Sequence, residues 1–103
     1  MANIIEISDL EFEKTVAEGV TIVDFWASWC GPCRNQGVIL ENLKGDSYFD
    51  NVKIVKINIE ENNQYVEILG ITSIPTLVVY KDGKIIKKHV GLASKDEIKN
   101  LLT

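Results

Sequence analysis

The sequence predicts an α/β fold, a single domain in which one mixed β-sheet carries helices on both faces. Apolar segments typical of strands alternate with segments of helical periodicity, in the order β-α-β-α-β-α-β-β-α. The last two strand segments are separated only by Lys81-Asp82-Gly83, and a D-G turn between such segments predicts an antiparallel hairpin. Strands joined through helices are expected to pair in parallel, through right-handed crossovers.

Length and composition limit the classes of protein to consider. A chain of 103 residues fits one domain, residues 1–103, with 46% hydrophobic and 25% charged residues. The formal net charge of -4 argues against nucleic acid or an anionic membrane as a partner. No signal peptide is visible at the N-terminus, and no apolar segment approaches the ~20 residues of a membrane-spanning helix. We therefore expect a cytoplasmic protein in a reducing compartment.

The first half of the chain is predicted to hold three strands and a capped helix between the first two. Ser8 and Glu11 have the spacing of a capping box, so the helix is expected to begin there. Phe12 and Val16 recur on one face of it. The nearly continuous apolar run Val20–Trp26 fits a central strand that is covered on both sides. The other two strands are expected at residues 3–7 and 52–59.

The second helix is expected over residues 32–49. Val38, Leu40 and Leu43 are the candidates for its buried side. Gly37 lies inside the helix, where glycine is about 1 kcal/mol less favourable than alanine, and it marks an expected bend.

The second half of the chain is predicted to add a short helix, the hairpin and a final helix. Ser94 and Glu97 repeat the capping-box spacing at the start of the final helix. Ile98, Leu101 and Leu102 give that helix an apolar stripe. The remaining segments are residues 64–69 for the short helix, and residues 76–80 and Lys84–Val90 for the hairpin strands.

Two cysteines follow the central strand directly, at the start of the second helix. Unpaired amides and the positive end of a helix dipole stabilise an anion there, which favours a thiolate on Cys30. The spacing puts Cys33 one turn away, close enough to close a disulfide with Cys30. Pro32 suits the first helical turn, and Arg34 adds a positive charge beside the pair. This arrangement predicts thiol redox catalysis.

Two other interpretations of the cysteine pair are weaker. A structural disulfide across so short a segment contributes little loop entropy and does not suit a reducing compartment. A zinc site needs about four ligands, and His89 is the one further soft candidate. A metal or cluster that bridges two chains stays open but requires a dimer. We expect no metal and no cofactor beyond a redox-active disulfide.

Three further positions are candidates for a role near the cysteines. Asp24 interrupts the buried strand six residues before Cys30, and burial would raise the pKa of its carboxyl so that it could transfer a proton at neutral pH. A hydrogen-bonded core carboxylate without a catalytic role is an equal alternative. Lys56 could lie beside Asp24 or could simply face solvent. Local sequence favours an ordinary trans bond at Ile74-Pro75.

The segment Trp29-Cys30-Gly31-Pro32-Cys33, preceded by Val-Asp-Phe-Trp-Ala, resembles the active-site segment of the thioredoxin family. A CxxC pair alone is a weak motif. The full WCGPC, together with the aspartate upstream and Ile-Pro-Thr downstream, is highly specific. The resemblance extends over essentially the whole chain through Lys56-Ile57-Asn58, Gly70-Ile71, Ser73-Ile74-Pro75-Thr76, Asp82-Gly83 and Val90-Gly91.

The resemblance implies a role for each residue of the active site. Cys30 would be the nucleophile and Cys33 the resolving thiol. Asp24 would be the buried proton acceptor that serves Cys33, with Lys56 as its neighbour. Pro75 would follow a cis bond, and the backbone before it would face an extended substrate segment. The implied docking surface comprises Trp29, Gly31, Pro32, Ile59, Ile74, Val90 and Gly91.

The resemblance also implies a fold and an activity. The sheet would have the strand order 1-3-2-4-5, with helices 1 and 3 on one face and helices 2 and 4 on the other. The protein would be an oxidoreductase that reduces protein disulfides through a reversible Cys30–Cys33 disulfide. A thioredoxin reductase, drawing on NADPH or another low-potential donor, would reduce it again. We expect a monomer whose substrates are disulfide-containing proteins.

The residues after the second cysteine depart from the family pattern, which has an apolar pair and then a proline that kinks the helix. Here Asn35 and Gln36 are polar, and Gly37-Val38 replaces the usual pair that contains the proline. Gly37 could supply the bend, or the helix could be straighter. We hypothesise that Asn35 and Gln36 alter the electrostatics of the active-site end or the contact with the reductase.

Other functions remain to be weighed against this one. A glutaredoxin would have Pro-Tyr between its cysteines and a glutathione-binding groove. A disulfide oxidase or isomerase usually has a histidine there and is exported. An alternative of a different class is a binding module that clamps a partner enzyme while its thiols stay idle. Function that survives replacement of both cysteines by serine would support a binding module.

Overall fold

One mixed sheet runs through the middle of the computed structural model, which describes residues 4–103. Its five strands are β1 (Ile4–Glu6), β2 (Val20–Trp26), β3 (Val52–Asn58), β4 (Thr76–Lys81) and β5 (Lys84–Val90). Their order is β1-β3-β2-β4-β5, with β3 parallel to both its neighbours and β4 antiparallel to both of its own. The sheet order implied by the resemblance is therefore confirmed. Asn3, the predicted first residue of β1, lies outside the described residues.

Four α-helices connect or follow these strands, and they are α1 (Phe12–Val16), α2 (Gly31–Asn42), α3 (Gln64–Ile68) and α4 (Lys95–Leu101). The prediction that the second helix reaches residue 49 is wrong. Asp46 is extended, with φ −102° and ψ 116°, and its side chain accepts a hydrogen bond from the backbone N–H of Tyr48. This cap separates two short 3₁₀ turns, residues 43–45 and 47–49, from one another, so the chain after Asn42 is not a continuous helix.

The helices cover the two faces of the sheet in pairs, as the resemblance implied. Phe12 of α1 and Tyr65 of α3 stack with ring centroids 3.9 Å apart in the hydrophobic cluster on one face. Leu40 of α2 and Ile98 of α4 are fully buried in the cluster on the other face. The active-site helix therefore lies on the face opposite α1 and α3.

The buried side of α2 differs from the prediction at one position. Val38 is 60% exposed, whereas Leu40 and Leu43 are fully buried as expected. Together with Cys33 and Gln36, the two leucines recur at intervals of three and four residues, which places them on one helical face. Val38 follows Gln36 by two residues, about 200° around the helix, so it faces solvent.

The hairpin between β4 and β5 confirms the predicted D-G turn. Asp82 and Gly83 have φ values of 50° and 84°. Two consecutive residues with positive φ give the type I′ geometry that matches the twist of hairpin strands. The side chain of Asp82 also accepts a hydrogen bond from the backbone N–H of Gly19 at 2.8 Å, which fixes the hairpin to the end of the α1 segment.

Candidate active site

Cys30 and Cys33 are joined by a disulfide at the N-terminus of α2. Cys30 is the N-cap residue, and the backbone N–H of Cys33 donates a hydrogen bond to its Sγ over 3.1 Å. The helix begins at Gly31, one residue before the expected start at Pro32, which occupies the first turn. The sulfur of Cys30 thus lies where a free amide and the helix dipole stabilise negative charge.

Both cysteines are almost fully enclosed by apolar neighbours. Cys30 is 5% exposed and Cys33 is 3% exposed. Ala27 is buried with them, and Ile59 and Ile74 pack against the cluster from the loops that follow β3 and precede β4. The sulfur atoms therefore have mostly apolar surroundings, in which water competes weakly for hydrogen bonds.

The loop that contains Ile74 and Pro75 approaches the sulfur of Cys30. The carbonyl oxygen of Ile74 lies 3.9 Å from Cys30 Sγ. The Ile74–Pro75 bond is cis, as the resemblance implied and contrary to the trans bond expected from the local sequence. The Pro75 carbonyl accepts a hydrogen bond from the N–H of Gly91 at 2.8 Å, and Gly91 has φ +94°, a conformation that favours glycine.

The residues implied as a docking surface surround the disulfide. Trp29 is 68% exposed and Val90 is 59% exposed. Val90 pairs with Thr76, directly after Pro75, at the end of the β4–β5 ladder. Pro32 is exposed, and the other four positions are half-buried: Gly31, Ile59, Ile74 and Gly91.

Asp24 is fully buried in β2, beneath the active-site helix. Neither carboxylate oxygen has a hydrogen-bond partner among the side chains and backbone groups of the described residues. Burial raises the pKa of Asp24 to about 7, with Lys56 acting to lower the pKa and Glu6 acting to raise it. The carboxyl therefore changes its protonation state near neutral pH.

Lys56 is the register partner of Asp24 on β3, and it does not simply face solvent. Its side chain is half-buried, and Nζ lies 4.5 Å from the ring centroid of Trp26. Lys56 and Cys33 line one cleft of about 330 Å³ between β3 and α2. The structure thus brings Asp24, Lys56 and Cys33 to one side of the sheet.

Two glutamates support the site, and the sequence analysis missed both. Glu60 Oε1 accepts hydrogen bonds from the backbone N–H and the hydroxyl of Ser28, at 2.8 and 2.7 Å, which lowers the pKa of Glu60. Glu6 accepts a hydrogen bond from the indole N–H of Trp26 at 3.1 Å and pairs in register with Lys56. The predicted parallel pairing of the first and third strands was the available signal for Glu6, whereas no local pattern marks Glu60.

Neither a metal site nor a membrane-spanning helix is found among the described residues. Across residues 4–103, no group of three or more His, Cys, Asp or Glu side chains has the arrangement of a metal site. Over the same range, each helix falls short of the length and apolar character needed to cross a bilayer.

Comparison with known proteins gives consistent results. The family model for thioredoxin matches residues 3–103. Thioredoxin from Bacillus subtilis is 40% identical over 99 residues, covering 96% of this chain and 94% of the relative. Thioredoxin from Chlamydia pneumoniae is 45% identical over 96 residues, covering 93% and 92%. The crystal structure of Malassezia sympodialis thioredoxin superposes with a TM-score of 0.85 at 31% identity, covering 99% of this chain and 90% of that one. The chain therefore belongs to the thioredoxin family of dithiol–disulfide oxidoreductases.

Proposed function

We propose that this chain reduces disulfides in other proteins, with Cys30 as the attacking thiolate and Cys33 as the resolving thiol. One observation carries the assignment. Cys30 Sγ is at the N-cap of α2 and accepts a hydrogen bond from the N–H of Cys33, so a negative charge on this sulfur is stabilised. Cys33 lies inside the first helical turn, so its sulfur does not occupy the N-cap position that Cys30 has.

The first step is attack of the Cys30 thiolate on one sulfur of a substrate disulfide. A bond forms between Cys30 and that substrate sulfur, and the substrate disulfide breaks. The other substrate sulfur leaves as a thiolate and takes a proton from water. The product is a mixed disulfide in which the substrate is held covalently above the active-site helix.

The second step is attack of Cys33 on Cys30 Sγ. The Cys33 thiol gives its proton to the carboxylate of Asp24, and the resulting thiolate breaks the mixed disulfide. The Cys30–Cys33 disulfide forms, and the second substrate sulfur leaves as a thiolate that takes a proton from water. Support for Asp24 comes from its burial, its unpaired oxygens and its pKa of about 7, which suits proton transfer at neutral pH.

The cycle requires a partner on each side of the exchange. Two electrons pass to the substrate in each turnover, so a reductase must return two electrons and two protons to the active-site disulfide. We assign the docking of both partners to the surface around Trp29, Ile74 and Val90, because Trp29 and Val90 are exposed and Ile74 packs against the two cysteines. We further propose that the protein acts as a monomer. We place it in the cytoplasm, since a dithiol reductant needs a reducing compartment.

Insulin reduction tests this function. Wild type, Cys30→Ser and Cys33→Ser would be compared with dithiothreitol as electron source, with precipitation of the free B chain as readout. We expect acceleration by wild type alone, and a trapped mixed disulfide between Cys33→Ser and the substrate. Equal rates with and without wild type would contradict general disulfide reduction and favour the binding module.

A further inference from the structure

Gln36 is a buried polar side chain that the proposed exchange reaction does not use. It is fully buried on the face of α2 that also carries Cys33, one turn earlier. Its side-chain amide is paired at both ends with one residue. Nε2 donates to the carbonyl of Ala93 at 3.1 Å, and Oε1 accepts from the N–H of Ala93 at 2.8 Å. Both backbone groups of Ala93 therefore depend on this single side chain.

The segment held by Gln36 begins at Gly91, a residue of the implied docking surface. Ala93 lies in residues 91–94, which connect β5 to α4. At the other end of this segment, Gly91 donates its N–H to the carbonyl of Pro75 at 2.8 Å. Residues 91–93 are thus fixed at one end to the loop beside Cys30 and at the other to the helix that carries Cys33.

We propose that Gln36 is a positioning residue that sets the place of residues 91–93 relative to the two sulfurs, and so governs the binding of protein disulfides. The inference rests on the proposed function, because it concerns the surface on which a protein substrate would dock. A protein disulfide must bring its flanking backbone against residues 90–91, whereas a small disulfide needs access only to Cys30. Gln36 should therefore affect KM for proteins and leave the reactivity of the sulfurs unchanged.

An apolar side chain of similar size cannot replace the amide. With methionine at this position, the N–H and C=O of Ala93 would be buried without partners, which is strongly unfavourable. The segment would then move toward water to regain hydrogen bonds, held by the hydrogen bond from Gly91 to Pro75 and by the contact of His89 Nε2 with the Leu92 carbonyl. The exposed residue Gln64, on α3, provides a matched control, because Gln64→Met makes the same exchange of side chains outside the active-site surface.

The test compares wild type, Gln36→Met, Gln36→Leu and Gln64→Met on two substrates. Insulin with dithiothreitol gives KM and kcat, and 5,5′-dithiobis(2-nitrobenzoate) gives the rate constant of the pre-reduced protein with a small disulfide. We expect Gln36→Met to raise KM for insulin at least threefold, with kcat and the small-disulfide rate within twofold of wild type. Gln64→Met should match wild type in all three quantities.

Amide hydrogen exchange gives a second readout that does not depend on turnover. Exchange at the Ala93 amide should accelerate at least tenfold in Gln36→Met, while the amides of Leu40 and Ile98 stay as protected as in wild type. Gln36→Leu provides the same comparison if the methionine variant does not fold.

The possible outcomes separate the two proposals. If wild type reduces insulin but Gln36→Met has the wild-type KM, the positioning role is overturned and the proposed function stands. If kcat, kcat/KM and the small-disulfide rate all fell by the same factor, the positioning role would also be overturned, because that pattern would indicate general damage. If wild type does not reduce insulin at all, both proposals fail.

Discussion

Lys56 lies opposite Asp24 across the parallel β2–β3 pair, on the face of the sheet that α2 covers. The same lysine is opposite Glu6 across the β1–β3 pair. One ammonium group is therefore shared between a buried carboxyl and a largely exposed one, and its Nζ is further held over the ring of Trp26. The protonation of Asp24 depends on this shared charge, and the first three predictions follow from it.

Replacement of Asp24 by asparagine should stabilise the oxidised protein, and the gain should grow with pH. The folded-state pKa of about 7 lies above the ordinary value of 3.8, so folding favours the protonated form. As pH rises from about 4 to about 7, the unfolded chain ionises first and wild type loses stability. This pKa difference corresponds to a gain of up to about 4 kcal/mol above pH 7. Urea unfolding of wild type and Asp24→Asn at pH 4 and pH 8 measures it.

The matched result at pH 4 serves as the control for this prediction. There, wild-type Asp24 is protonated in the folded state and resembles the amide that replaces it, so the two proteins should differ little in free energy of unfolding. A difference of the same size at pH 4 and pH 8 would show that packing, and not ionisation, separates the two proteins.

Removing the charge of Glu6 should lower the pKa of Asp24, and removing that of Lys56 should raise it. Glu6 acts on Asp24 by repulsion between like charges, whereas Lys56 attracts the carboxylate. Glu6→Gln keeps an oxygen that can accept the hydrogen bond from the Trp26 indole, so the change is chiefly one of charge. Carbon-13 NMR titration of the Asp24 carboxyl in wild type, Glu6→Gln and Lys56→Met measures both shifts. Shifts in the same direction in both variants would contradict the shared-charge arrangement.

Asp24→Asn should slow the resolving step and not the initial attack. The amide cannot accept the proton of Cys33, and loss of a general base typically reduces a rate by about 10²-fold or more. The mixed disulfide should therefore accumulate during insulin reduction near pH 7, and raising the pH toward the ordinary thiol pKa should restore the rate. Acid-quenched gel analysis of the covalent adduct follows this. Unchanged adduct levels would remove Asp24 from the exchange.

The sequence was sufficient for features that depend on local pattern. The bounds of β2 and β5 were predicted as they are found, because a continuous apolar run and a D-G turn mark them directly. The position of Cys30 at the start of α2 followed from the same strand-to-helix transition. The cis bond at Pro75, by contrast, came only from the family resemblance, since local sequence favours trans.

Contacts between distant segments were the part that the sequence did not reveal. Gln36 meets Ala93, 57 residues away, so a polar residue that was expected to act on the surface is buried instead. The same limit applies to Ser28 and Glu60, which are 32 residues apart. Val38 was placed on the wrong side of α2 because its hydrophobicity was weighed without the helical spacing set by Cys33.

A surface ion-pair cluster should show the opposite pH dependence to Asp24. Asp46 Oδ2 lies 2.7 Å from Lys95 Nζ and 3.5 Å from Lys99 Nζ, and its other oxygen caps the turn at Tyr48. The hydrogen bond from Lys95 is the largest cause that lowers the pKa of Asp46 to about 2. A folded-state pKa below the ordinary 3.8 means that its contribution to stability is present above about pH 4 and is lost as pH falls toward 2.

Asp46→Asn isolates the ion pairs, because asparagine retains a side-chain oxygen to accept the N–H of Tyr48. The variant should have a lower Tm than wild type at pH 7, and most of the difference should be lost at pH 2, where about half of Asp46 is protonated in the folded state. It should also shrink in 1 M NaCl, which screens exposed charges. Glu18→Gln, at an exposed position, is the control for loss of a surface carboxylate. A Tm difference that persists unchanged at pH 2 would show that Asp46 acts through its cap and not through the two lysines.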